Sequence, residues 1–195
     1  MFAHNLLITL FVTLSVSFTA HAQDDLEPKQ KEQIAEAGST EQQYQLALDF
    51  NAGTNVLKDN ERAFKWMQRV ANTNDHRAQL NLGIMHFNGL GTDVDHEAAF
   101  HFISLAAGQE NAVAVFFLGT MYLEGQGVDP DSEHAARLLH QAADEGVYSA
   151  YLTLATLYES ANGVYFNPDK AATYRQYVID NADDSFKDFE GLVMP

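Results

Sequence analysis

The chain has 195 residues, 46% hydrophobic content and no cysteine, which allows one domain with a sizeable core and excludes a collagen-like fibre, a disulfide scaffold or a thiolate metal site. Its 27 acidic residues against 11 basic ones give a formal charge of −16. Nucleic acid and anionic lipid both reward Lys and Arg, so this balance argues against them and makes a basic protein the natural complement.

Leu6 to Phe18 form an apolar run too short for a comfortable bilayer span, and Ala20-His21-Ala22 supplies the small-x-small pattern of a signal-peptidase site. The expectation is a signal peptide over residues 1–22, cleaved after Ala22. It would leave a periplasmic or secreted chain with no membrane insertion. The first residues carry only the terminal amine and His4 in place of Lys or Arg, so an uncleaved anchor is the alternative. No Asp, Glu, Lys or Arg lies in this segment, and the mature chain keeps the same charge.

Residues 23–41 read as a polar linker or N-terminal cap. Pro28 suits the first position of a short helix, but Leu26, Ile34 and a few alanines offer little apolar surface. Ser39 and Gln42 then have the capping-box spacing that opens a helix.

From there the chain repeats itself. Ala78, Leu82, Gly83, His86, Gly89, Gly91, Asp95, Ala99, Phe102 and Ala106-Ala107 recur 36 residues later as Ala114, Leu118, Gly119, Tyr122, Gly125, Gly127, Asp131, Ala135, Leu138 and Ala142-Ala143. A weaker copy precedes them through Ala47, Phe50, Gly53, Asn55, Asp59, Ala63, Trp66 and Ala71. Another follows through Ala150, Leu154, Ala155, Tyr158, Gly163, Asn167, Ala171 and Tyr174. A fixed period of this size without insertions is the mark of a solenoid whose units bury their apolar faces against one another. We expect an all-α fold, an α/α solenoid of four helix-turn-helix repeats at about 42–77, 78–113, 114–149 and 150–182.

Each unit reads as two antiparallel helices. Helix A of the second unit, Ala78 to Asn88, carries Ala78, Leu82, Met85 and His86 at helical spacing. Gly83 inside it costs roughly 1 kcal/mol relative to alanine, and close helix approach is the expected return, because the same place holds Ala47, Gly119 and Ala155. The Gly-x-Gly pairs suit a reversal with positive φ angles, and Asp59, Asp95, Asp131 and Asn167 stand where an N-cap opens helix B. Pro168 fits the first helical position after Asn167.

These residues resemble the Sel-one-like repeat, a tetratricopeptide-related α/α unit. The third copy carries the resemblance best, through Ala114, Leu118, Gly119, Tyr122, Gly125, Gly127, Val128, Asp131, Ala135, Ala142, Ala143 and Gly146. His86, Thr92, Ala47 and Asn55 depart from the pattern in the other copies. The resemblance implies an array that binds other proteins as an adaptor or scaffold, often in bacterial envelopes, and it implies no shared catalytic residue. An assembly factor and an immunity protein that neutralises an effector are two versions of that role. Some cysteine-rich relatives are linked to β-lactams, so a cell-wall or β-lactam-acting hydrolase is the alternative, without those cysteines here.

Candidate chemistry is otherwise sparse, and we expect no cofactor and no metal. The glycine pairs lack a P-loop lysine, and the aspartate pairs Asp93/Asp95 and Asp129/Asp131 lack the ligand run of an EF-hand. His96 with His101, and His134 with His140, miss the spacing that puts two ligands on one helical face. No Ser-x-x-Lys, Gly-x-Ser-x-Gly or His-Glu-x-x-His occurs, so the chain does not read as an enzyme.

Binding residues are sought among positions the repeat leaves free. If helix A lines the binding face, Phe87, Val115, Phe117, Leu123 and Tyr151 form an apolar patch surrounded by Glu124, Asp93 and Asp129. Packing between neighbouring repeats is the competing role for these five. Residues 183–195 pose a similar choice, since Phe186, Phe189 and Val193 share one helical face. The tail is either a cap on the last repeat or a docking segment.

Overall fold

The computed structural model describes residues 27–181 and 192–193. The signal peptide and its cleavage site, together with Phe186 and Phe189, lie outside the described residues.

Helix α1 (Pro28–Glu36) precedes four antiparallel pairs: α2 (Thr40–Ala52) with α3 (Asn60–Ala71), α4 (His76–Asn88) with α5 (His96–Ala107), α6 (Ala112–Glu124) with α7 (Ser132–Asp144), and α8 (Tyr148–Ser160) with α9 (Pro168–Asp180). The even-numbered helices are helix A of each unit and the following odd-numbered ones are helix B. Each helix packs on its neighbours in sequence, within a unit and across to the next. Among the described residues there is no strand, and no helix is long and apolar enough to cross a membrane. The first pair is covered by α1, which buries Ala35. The Ala35 carbonyl accepts from Gln43 Nε2 at 3.0 Å, while Lys31 Nζ donates to the Asn55 carbonyl at 2.8 Å.

The repeated polar residues close the repeated turns. Arg62 N donates to Asp59 Oδ1 at 3.0 Å, Ala98 N to Asp95 Oδ1 at 2.9 Å, His134 N to Asp131 Oδ1 at 2.8 Å and Lys170 N to Asn167 Oδ1 at 2.9 Å. The backbone N–H of each of these caps also donates back to helix A: Asp59 to Phe50 O, Asp95 to His86 O, Asp131 to Tyr122 O and Asn167 to Tyr158 O, at 2.8 to 2.9 Å. Each helix B is thereby capped and tied to its own helix A with one residue. Helix A begins at 40, 76, 112 and 148: Ser39 caps the first through the capping box with Gln42, as its spacing suggests, and Asp75 and Asn111 supply side-chain N-caps for the next two. Val147 occupies that place in the last unit and makes no side-chain cap.

The glycines divide the remaining work. A Cβ on Gly83 would fall 2.5 Å from Ile103 Cγ1 and 3.1 Å from the Ala99 carbonyl oxygen, and one on Gly119 would fall 3.1 Å from Leu139 Cγ. Those mid-helix glycines therefore let helix A approach helix B, as the spacing suggests. Gly53, Gly89 and Gly125 end helix A in the left-handed conformation, with φ of 73°, 69° and 68°. Ala161 takes the same place in the last unit at φ 56°, where an L side chain is strained.

The second loop glycine does something the reversal alone does not require. A Cβ on Gly91 would fall 2.4 Å from the Asn60 carbonyl carbon, one on Gly127 2.5 Å from that of His96, and one on Gly163 2.4 Å from that of Ser132. In each case the neighbour is the first residue of helix B in the preceding unit. These glycines are contact points between units. Asn55 holds the equivalent place in the first unit at φ 53°, with no earlier helix B to meet among the described residues.

A continuous core runs through the first two units into the third and includes Phe50, Met67, Leu82, Met85, Ile103 and Met121. A second core joins the last two units through Leu139, Val147, Leu154 and Leu157. Val193 belongs to the first of these and not to the last repeat. It is fully buried, and its N–H donates to Asn81 Oδ1 at 2.8 Å across 112 positions of sequence.

Candidate protein-binding face

Helices α4 and α6, the A helices of the second and third units, leave a cleft of about 310 Å³ between them. Its walls are Ile84 and Phe87 from α4 and Phe117, Thr120, Met121 and Glu124 from α6, with Ile103 of α5 in the floor. Phe87 is held edge-on against His96 at 4.9 Å, and Phe117 edge-on against Phe116 at 5.5 Å. Both rings are part-buried, with one side on the core and the other on the cleft. Glu124 at the end of α6 is exposed and gives the rim its charge. The arrangement of aromatic walls and apolar floor suits capture of an apolar side chain.

The other three expected patch residues lie elsewhere. Val115 is 3% exposed and packed in the second core with Ala136, Leu139 and Leu154, so it is a packing residue and not part of an accessible surface. Leu123 is part-buried against that same core. Tyr151 joins a cluster of tyrosines on the last unit, with centroids 4.6 Å from Tyr177, 5.5 Å from Tyr174 and 6.5 Å from Tyr148. Burial, then the neighbouring Tyr177, pushes the Tyr151 hydroxyl above its ordinary value. The sequence carries this cluster as Tyr148/Tyr151 and Tyr174/Tyr177, two i,i+3 pairs on paired helices, of which only Tyr174 falls on the repeat pattern.

A second polar feature unforeseen from the sequence sits on the helix-A face of the first two units. Asn81 of α4 is fully buried, and its Nδ2 donates to the Tyr44 hydroxyl of α2 at 2.9 Å. Burial raises the Tyr44 hydroxyl above its ordinary value, with Arg77 opposing. Arg77 lies over the Tyr44 ring at 4.6 Å and bridges Glu41 at 2.8 Å and Asp75 at 2.7 Å, which fastens α4 to α2. Burial pushes the Asp75 carboxyl up, but the bonds from Arg77 and the backbone N–H of Ala78 outweigh it and hold the group below its usual value. Asn81 occupies the repeat position that Phe117 fills one unit later, so both mark the same face of helix A.

The loop edge offers larger, mainly polar clefts. One of about 630 Å³ is lined by His86, Asp93, Asp95, His96 and Glu97, and one of about 970 Å³ by Asp59, Glu61 and Asp93 with Gly89 and Gly91. Asp59 and Asp95 are already used as caps, and the surplus of carboxylates makes these clefts poor hosts for phosphate. Among the described residues no three His, Asp or Glu side chains converge in a way that could hold a metal ion. His86 sits in the wall between Phe64, edge-on at 5.1 Å, and Phe102, stacked at 5.7 Å, and burial holds its imidazole below the ordinary value. Lys170 donates to the Tyr158 hydroxyl, which also meets His140 Nε2 at 3.1 Å, a polar cross-link between α7, α8 and α9.

Comparison with known proteins agrees with this geometry. The family model described as Sel1 repeat matches residues 42–74, 76–111 and 112–147, the first three helix pairs. Among solved structures, the chain is similar to c5321, a protective antigen present in uropathogenic Escherichia coli strains and displaying an SLR fold. The TM-score is 0.73 and the identity 27% over 80% of this chain. It is likewise similar to a Sel1 repeat protein from Oxalobacter formigenes, with a TM-score of 0.71 and 27% identity over 79% of this chain. The chain spans 34% of the first protein and 63% of the second. No curated protein matches it. On three matched repeats that cover more than half of its length, and on the helix pairs and loop contacts that those repeats build, the chain belongs to the Sel1 repeat family.

Proposed function

We propose that this protein is an exported scaffold that binds a partner protein across its helix-A face, with the Phe87–Phe117 cleft as anchor. Sel1 repeat arrays are protein-interaction scaffolds, and the cleft between α4 and α6 is the observation that carries the reading here. It is an apolar recess with Glu124 on its rim, in a chain whose net charge is −16. A basic partner with a protruding apolar side chain fits both properties. The apolar run Leu6 to Phe18 and the Ala20-His21-Ala22 pattern support delivery to the periplasm or beyond. Assembly of an envelope complex and masking of a basic effector use the same chemistry.

The test is affinity capture with the mature chain from periplasmic extract, repeated with Phe87→Ala and Phe117→Ala. Retention is expected to fall as salt rises from about 0.05 to about 0.5 M, since the Debye length shrinks severalfold over that range. Each substitution is expected to weaken capture by about tenfold or more, the loss of an anchor worth about 1.4 kcal/mol or more. Salt-indifferent capture that survives both substitutions refutes the reading.

A further inference from the structure

We propose that the chain carries its own occupant for this face: Leu192 and Val193 form an intramolecular strap on helix A, and a partner must present a similar extended apolar segment to displace it. The inference rests on the helix-A face being the binding face.

Four observations support it. Val193 is fully buried although its backbone is neither helix nor strand, so its burial comes from docking and not from a local element. Its N–H donates to Asn81 Oδ1 at 2.8 Å in a buried setting. Asn81 is oriented for that role, because its Nδ2 is directed to the Tyr44 hydroxyl at 2.9 Å, which leaves the amide oxygen turned to an incoming backbone N–H. Leu192 packs part-buried on the same core as Phe87 and Phe117.

A fully buried carboxamide costs free energy unless it is bonded, and a docked backbone is what bonds its oxygen here. The equivalent positions in the other units are Gln45, Phe117 and Thr153, so the repeat itself does not call for Asn at this place. The same pair of features defines the competitor. It is an extended segment with a Leu-Val type pair, whose amide bonds Asn81 while its side chains enter the apolar face. Ten residues separate Asn181 from Leu192, with a maximal reach of about 33–36 Å, so docking within one chain is sterically open.

The experiment uses the full chain, wild type and Val193→Asp, with a synthetic peptide of residues 186–195 as probe. NMR amide exchange in the wild type is expected to show the Val193 N–H protected by about a hundredfold or more, with protection lost in Asn81→Ala. Titration is expected to show the peptide binding the Val193→Asp chain about tenfold more tightly than the wild type. A peptide that itself carries Val193→Asp is expected not to bind. The substitution lies in the tail, so the array's circular dichroism is expected to stay unchanged. Val193 exchanging at the rate of an unstructured amide, or equal peptide affinity for both chains, overturns the strap. Light scattering that shows a wild-type dimer falling to monomer on Val193→Asp overturns its intramolecular form, because the tail then sits on a second copy. An unprotected Val193 leaves the proposed scaffold standing, whereas capture indifferent to Phe87→Ala and Phe117→Ala removes the scaffold reading, and Val193 exchange then still decides whether the strap docks.

Discussion

Gly125 and Gly127 make a controlled pair for the contact between units. They are two residues apart in one loop, with φ of 68° and 70°, so alanine at either place carries the same left-handed penalty of about 1–2 kcal/mol. The surroundings differ. A Cβ on Gly125 would meet Pro130 Cδ at 3.2 Å, the edge of a ring that can give by a few tenths of an ångström. A Cβ on Gly127 would fall 2.5 Å from the His96 carbonyl carbon and 3.0 Å from Glu97 N, which is helix backbone. Carbon atoms settle at about 3.5–4.0 Å, so the start of α5 must retreat by about 1 Å or the loop must lift away. Forced overpacking of this kind costs about 1–3 kcal/mol. Gly125→Ala is therefore expected to destabilise by about 1–2 kcal/mol and Gly127→Ala by about 2–5 kcal/mol. Urea unfolding followed by circular dichroism measures both, and amide exchange at the junction of the second and third units shows where the loss falls. Equal costs within about 0.5 kcal/mol refute the assignment of the second glycine to packing between units.

Other outcomes follow from single residues. Ala161→Gly is expected to stabilise the chain by about 0.5–1 kcal/mol, read as a rise in thermal midpoint, because Ala161 ends α8 at φ 56° where glycine pays no Cβ penalty. Burial holds both His86 and His140 below the ordinary value, so the unfolded chain binds protons first on acidification. Stability is expected to be complete above about pH 6.5 and to decline below it as pH falls toward the folded-state values, with His86→Phe flattening part of that slope in urea titrations. Arg77→Leu removes the bridge from α4 to Glu41 and Asp75. Its side chain is 42% exposed, so the expected cost is about 1 kcal/mol or less, shrinking as salt rises.

The architecture was legible because the physics repeats with the residues. Asp59, Asp95, Asp131 and Asn167 announce helix B by composition alone, since a short acceptor just ahead of an apolar-periodic stretch satisfies the first free N–H groups. Gly83 and Gly119 point to close helix approach because nothing else repays a mid-helix glycine. The start of helix A was legible at Ser39 through its capping box, but less so in the later units, where Asp75 and Asn111 cap without that box and Val147 makes no side-chain cap. The patch failed at Val115 for a definite reason. Helix α6 reads Ala-Val-Ala-Val-Phe-Phe-Leu-Gly and is apolar nearly all round, because a solenoid helix is covered by its own partner and by units on both sides. Periodicity then names no outward face, and Val115 turns to the next unit while Phe117 turns to the cleft. The role of Asn81 was invisible for another reason. Its partner Val193 lies 112 positions away, beyond the range of any local pattern.

The meeting of each second loop glycine with the preceding helix B also bears on how such an array changes length. Gly91 sits against the Asn60 carbonyl, and the stretch that carries Gly91 carries the next contact surface as well, the His96 carbonyl that Gly127 packs against. Both halves of the joint thus travel within one 36-residue cassette. Duplicating residues 76–111 in place gives the new copy a glycine for its predecessor and a carbonyl for its successor, with no further substitution. Only a unit at the leading end is released from the glycine, and Asn55 shows that release. The joint has a direction, so the array can lengthen by internal copying without losing register.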